Sequence, residues 1–163
     1  LTRYPADFIR AGGELSVPLG TANTLVLLTS SLFAALSVTA IQLDRRKTAC
    51  LMLALTVACA VAFLCVKYVE WGAKFAHGIY PNSPVLNARA HGEIMFFGLY
   101  FTITGLHALH VLVGAGLLGV STALTARGRL HAGRYVLLEN SALYWHLVDM
   151  VWIFIFPLFY LIV

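Results

Sequence analysis

The eight residues "TGLHALHV", Thr104 to Val111, set His107 and His110 one helical turn apart inside a run apolar enough to cross a membrane. Imidazole is a common metal ligand, a carrier of protons near neutral pH and an ordinary hydrogen-bonding group. A second constellation lies in "ENSALYWHLVDMVW", where Glu139, His146 and Asp149 fall within roughly 80° of one another on a helical wheel. Asp149 is the costly member: an intramembrane carboxylate is penalised by about 2.5 to 3.5 kcal/mol on insertion scales, so it should face protein or water and find a partner. His146, one turn before it, is the nearest candidate, and His107 or His110 across a helix contact is the next. A third group, Lys67 and Glu70 with Arg89, His91 and Glu93, can pair at the far end of the second apolar segment, where anchoring is its expected role.

Each group has a sharp and a plain reading. His107, His110, His146 and Asp149 are chemically able to ligate a metal or to pass protons. The default for histidines within a membrane is hydrogen bonding between helices. Trp145 and Trp152, with Phe154, Phe156, Phe159 and Tyr160, suggest either a quinone or lipid pocket or, more simply, lipid-facing packing and an interfacial belt. No nucleophile–base pair, phosphate loop or metalloprotease spacing occurs.

The elements that must position these residues follow from composition. With 60% hydrophobic and 11% charged residues, the chain lies outside the range of soluble domains. Four segments reach the roughly 20 apolar residues that a bilayer core requires, 19–43, 48–68, 94–126 and 137–163. They are continuous rather than alternating, which excludes a β-barrel. The connections are short and free of linker-like composition, so residues 1–163 are expected to form a single all-α transmembrane bundle. The third segment would be about 50 Å long as a straight helix and must tilt, protrude or bend. On it, Gly98, Gly105 and Gly119 form one small-residue stripe and Ala108, Ala115 and Thr122 a second, the kind of surface against which helices approach closely. Tyr100, His107, His110 and Gly114 gather on a different face, so this helix is expected to be interior to the assembly.

Arg45, Arg46 and Lys47 fill the first connection, and Arg127, Arg129 and Arg134 the third, which makes 44–47 and 127–136 cytoplasmic and leaves the loop 71–93 and the C-terminus outside. A chain whose start is exported normally needs a preceding span, so a further helix is expected before Leu1. Cys50, Cys59 and Cys65 share one helix, match no metal or haem spacing and read as small apolar residues. The net charge of +4 resides in turns, where topology and anionic lipid account for it, and no basic face for nucleic acid is present.

"KYVEW" and "HGIYPNSP", then "FTITGLHALHVLVG", then "YWHLVDMVWIFIFPLFYL" resemble, in this order and with these gaps, subunit III of the haem-copper cytochrome c and quinol oxidases in its short bacterial form. The resemblance runs from about Leu19 onward. It implies an accessory subunit of the bacterial inner membrane with no redox centre of its own. Such a subunit stabilises the catalytic subunit I, which holds haem and copper, lies in a complex that also contains subunit II, binds phospholipid and supports proton uptake for oxygen reduction. By position, Glu70, His107 and His110, and Tyr144, Trp145, His146, Asp149 and Trp152 match family signatures and are carried over as structural, lipid-contacting or subunit-contacting residues; Glu139 joins them from the polar face. The family's short form has five helices, and the first, which bears a buried glutamate associated with proton uptake, would precede Leu1. Rival readings are a related component of nitric oxide reductase systems, a free-standing transporter or proton channel using Glu139, His146 and Asp149, and a membrane cytochrome ligated through His107 or His110.

Overall fold

A computed structural model of the chain describes residues 5–13, 15, 17–89 and 91–161. They form six helices: α1 (Pro5–Gly13), α2 (Val17–Gln42), α3 (Arg46–Ala76), α4 (Pro84–Asn87), α5 (His91–Ala126) and α6 (Val136–Tyr160). Four of them, α2, α3, α5 and α6, are long and apolar enough to cross a membrane. No strand occurs among the described residues, so the architecture is an all-α membrane bundle.

The four long helices close into a ring. Helix α2 packs on α3 and α6, and α5 packs on the same two from the opposite side, while α1 lies against α5 and α6. The buried positions explain the arrangement: on α2 they are Gly20, Asn23, Leu27, Ser30, Ala34, Ser37 and Ile41, with Ala40 beside the last, and on α3 they are Ala49, Leu53, Thr56, Ala60, Phe63, Lys67, Glu70 and Lys74. Both series alternate steps of three and four, the 3.5-residue period of helices that coil around one another with a left-handed twist. Small side chains dominate the buried face of α2, and the buried Trp and Tyr residues all come from α5 and α6, so large groups from those helices fill the space that α2 leaves. The outer surface is rich in leucine and valine, as lipid contact requires.

Three helices end in the same hydrogen-bonded cap. Arg45 N–H reaches the Ala40 carbonyl and Asp44 N–H the Ile41 carbonyl; Ile79 and Gly78, and Arg129 and Gly128, repeat the pattern at α3 and α5. Each cap places its central residue at positive φ, 54° at Asp44, 73° at Gly78 and 70° at Gly128, as this motif demands.

The largest difference in boundaries from the sequence reading is at the end of α3. Helix α3 does not stop at Tyr68 but continues to Ala76, so the connection expected over 71–93 begins at His77 and contains α4. The reason is directional: Lys67, Glu70 and Lys74, which read as the end of an apolar span, all turn inward and are buried. The short helix α1 has no counterpart in the apolar pattern. The last expected residues of the fourth span, Ile162 and Val163, lie outside the described residues.

Candidate functional site

Two groups of polar side chains lie inside the ring. The first sits near the end of the bundle that holds the α3–α5 connection. Lys67, one turn before Glu70 on α3, donates to Glu70 Oε2 at 2.9 Å. Tyr100 from α5 and Tyr160 from α6 donate to Glu70 Oε1 at 3.0 and 2.5 Å. Lys67 also donates to the Tyr160 hydroxyl at 2.5 Å, and its ammonium stands 4.6 Å from the Trp152 ring and 5.0 Å from the Tyr160 ring. Charge-assisted hydrogen bonds and aromatic faces thus replace the water that both charges give up on burial. Helix α2 joins at Gly20, where a Cβ would stand 2.7 Å from the Tyr160 ring, so only glycine admits that ring. Four helices meet on this cluster. Beside it a cleft of about 480 Å³ is lined by Glu70, Lys74, His77 and Arg89.

The second group lies deeper in the bundle. His107 on α5 is stacked on Trp152 with ring centroids 5.1 Å apart, and Phe63 meets both rings edge-on. The Trp152 indole donates to Thr24 Oγ1 and the Trp145 indole to Ser30 Oγ, each at 3.0 Å, which ties α6 to α2. Trp145 fits against α5 because residue 114 is glycine, where a Cβ would approach the indole to 2.9 Å. His146 Nδ1 and Ser31 Oγ are hydrogen-bonded at 2.5 Å. Asp149, 3% exposed, lies beside Ser31, yet neither of its carboxylate oxygens has a hydrogen-bond partner among the described residues. His107 Nε2 is likewise buried and unpartnered.

Several expectations need correction. His107 and His110 do not share an internal seam: His107 is 4% exposed, whereas His110 is exposed at the outer edge of α5, its Nδ1–H donating to the Leu106 carbonyl at 2.8 Å. What secures His107 is aromatic stacking rather than a hydrogen bond across helices. Asp149 pairs with neither His146 nor the α5 histidines; His146 turns its Nδ1 to Ser31 instead. Glu139 is exposed and separate from the buried acid, so the polar face of α6 does not act as one unit. Trp145, Trp152, Phe159 and Tyr160 are core residues, not a lipid-facing belt; Phe154 alone of the six is strongly exposed, at 71%. Gly98 and Gly119 have nothing packed on them, and Gly105 meets only the Trp71 ring, so close approach uses Gly20 and Gly114 instead of the expected stripe. Helix α5 accordingly has one buried and one open face within this chain.

Tyr144, half-buried beside Gly114, joins His107 and His110 in lining a cleft of about 260 Å³ between α5 and α6. Arg89 and Glu93 form an ion pair at 3.3 Å near the start of α5. The sequence reading paired Lys67 with Glu70 but did not bring Tyr100 or Tyr160 to them; the signal was the heptad register that places Phe63, Lys67, Glu70 and Lys74 on one face. No three His, Cys, Asp or Glu side chains among the described residues gather as a metal site.

Residues 4–162 match the family model of cytochrome c oxidase subunit III. Among curated proteins, cytochrome c oxidase subunit 3 of Yarrowia lipolytica is 34% identical over 158 residues, covering 96% of this chain and 53% of that protein. A probable cytochrome c oxidase subunit 3 of Rickettsia bellii is 28% identical over 163 residues, 97% of this chain and 52% of the relative. Heme-copper oxidase subunit I+III of Aeropyrum pernix is 32% identical over 148 residues, 90% of this chain and 17% of that protein. The chain thus spans about half the length of the subunit 3 relatives.

Proposed function

Because the chain belongs to the cytochrome c oxidase subunit III family, we propose that it is a haem-free accessory subunit of a respiratory terminal oxidase, packed against the catalytic subunit I in a complex that includes subunit II. It retains phospholipid and supports proton uptake by the catalytic subunit, which supplies the haem and copper that reduce oxygen. The observation that carries this reading is the family match across nearly the whole chain. The relative named for subunits I and III together supports direct contact with subunit I. The interior supports a scaffolding role: it is filled by the chain's own rings, with Trp145, Trp152, Phe63 and Tyr160 each under 2% exposed. His107 has one ring face against Trp152 and the Phe63 edge beside it, an enclosed setting that speaks for packing over cofactor ligation.

The basic turns between α2 and α3 and between α5 and α6 would face the cytoplasm of a bacterial inner membrane, and the α3–α5 connection the outside. Glu70, His107, Trp145, His146 and Trp152 serve as internal fasteners, His110, Tyr144 and Glu139 as the positions through which lipid or a neighbouring subunit is met, and Asp149 as a buried acid open to a donor from outside the chain. Purification in mild detergent followed by mass spectrometry of the intact complex tests the reading. The chain should co-purify with a large haem-bearing partner. Recovery of the chain alone, haem-free and conducting ions in vesicles, would overturn it.

A further inference from the structure

We infer that the cleft between α5 and α6 binds the head of an isoprenoid quinol, a dihydroxylated ring on an apolar tail, with His110 and Tyr144 as its hydrogen-bonding partners. The cleft, about 260 Å³, has two unlike ends: His107, His110 and Tyr144 gather at one, and Ile103, Val151 and Ile155 line the other. The state of His110 is set by its own helix. Its Nδ1–H donates to the Leu106 carbonyl at 2.8 Å, so in the neutral ring Nε2 is a bare acceptor. Across the cleft the Tyr144 hydroxyl both donates and accepts, and no hydrogen bond among the described residues takes it up. Tyr144 is held in place by Gly114, since a Cβ there would stand 3.5 Å from its ring. His107, buried in the floor, adds an Nε2 that is also unpartnered.

Depth decides the class of ligand. Tyr144 stands eight residues, about 12 Å, into α6, and His110 sixteen residues, about 24 Å, from the end of α5. Both helices are long and apolar enough to span, so the polar end lies within hydrocarbon, where a phospholipid headgroup does not reach. The ligand must carry neutral polar atoms into that depth. The volume is just below the roughly 300 Å³ at which pockets for drug-sized ligands begin, and so admits one substituted ring. Two hydroxyls on opposite edges of a ring match partners on opposite walls: one donates to His110 Nε2 and the other meets the Tyr144 hydroxyl. The tail then follows the aliphatic end. An apolar helix laid in the groove would leave both partners unmatched. The inference is one of binding, goes beyond the accessory-subunit reading and assigns no redox step to this chain.

The test is photolabelling of membranes that hold the protein in its native complex, with a decyl-tailed azidobenzoquinone as probe and labelled peptides mapped by mass spectrometry. The label should fall on residues 103–110 and 144–155, and about fivefold more strongly when the probe is reduced, because only the quinol offers a donor to His110. Decylubiquinol should compete and hexadecanol at the same concentration should not. His110→Leu with Tyr144→Phe should lower labelling about tenfold, the worth of two hydrogen bonds, whereas His110→Gln, which keeps an acceptor, should retain most of it. Equal competition by hexadecanol, an unchanged double variant, glutamine as harmful as leucine, or label absent from these segments would each overturn the site. Label present only after the chain is freed from its complex would give the groove to a neighbouring helix and overturn it too. A labelled chain that came with no haem-bearing partner would instead leave the site standing and sink the accessory-subunit reading.

Discussion

The bundle buries two carboxylates on helices that stand opposite each other in the ring, and treats them in opposite ways. Glu70 is 5% exposed and receives an ammonium and two phenolic hydroxyls, from three helices. Asp149 is 3% exposed and has no hydrogen-bond partner among the described residues, although Ser31, which is bonded to His146, lies beside it. Burial alone therefore does not mark a structural acid. The difference is whether the chain itself supplies the donors. Around Glu70 it does, and the result ties α3, α5 and α6 together; around Asp149 the contacts that hold α6 to α2 are made by the two indoles and His146 while the acid stands aside.

That contrast is broken most directly at Lys67. Lys67→Met strands the Glu70 charge with only the tyrosines, and Glu70→Gln strands the ammonium. Each should lower stability by about 3–5 kcal/mol, because removing one member of a buried pair leaves the other uncompensated. The double variant should lose clearly less than the sum of the two, since each single change already forfeits the shared interaction. Unfolding midpoints in detergent read both effects. Single losses below about 1 kcal/mol would show that the cluster is no more than a surface-like pair.

Packing offers a second test. Gly114→Val pushes against the Trp145 indole and should cost about 1–3 kcal/mol, an overpacking penalty. Gly116→Val, two residues away with open space before it, should cost far less. Equal effects at the two positions would mean that helix propensity, not the indole contact, governs the response.

These positions also show where sequence reading succeeds and fails. The four spans were legible because a bilayer demands uninterrupted apolar length, and the third span kept its end at Ala126 while its start moved from Ile94 to His91. The end of α3 was not, since Lys67, Glu70 and Lys74 count against a span by residue type while their spacing turns them inward. Lipid is as apolar as a protein core, so type could not tell that Trp145 faces in and Phe154 out, or that Gly114 is covered and Gly119 open. His107 and His110 illustrate the same limit: three residues separate their directions by roughly 60°, and the edge of the bundle falls between them. Composition does not contain that edge; only the positions of α3 and α6 define it.

The stack around His107 should have a smaller effect than the Glu70 cluster. His107→Leu removes the ring that lies on Trp152 and meets Phe63, and should cost on the order of 1 kcal/mol, the worth of an aromatic pair. His107→Phe should recover most of it, because a ring can stack without using Nε2, which has no partner. If phenylalanine were as harmful as leucine, a polar contact at Nε2 would have to replace stacking as the fastener. In the intact complex the leucine variant should shorten lifetime during turnover while haem content per catalytic subunit stays constant.

The smallest expected effect is at Asp149, and its sign is the informative part. A buried acid without donors contributes no hydrogen bond to lose, and an amide of the same shape carries no charge to desolvate. Asp149→Asn should therefore leave stability within about 1 kcal/mol of the parent or raise it, where Glu70→Gln lowers it severalfold more. If Asp149→Asn instead destabilised the isolated chain as strongly as Glu70→Gln, Ser31 would have to donate to the acid while accepting from His146 Nδ1–H, making the two regions alike. If the asparagine variant were stable alone but weakened the intact complex, the missing donors would come from outside this chain. Midpoints measured on the isolated chain and on the complex separate these outcomes, because only a partner-supplied donor makes the cost depend on assembly.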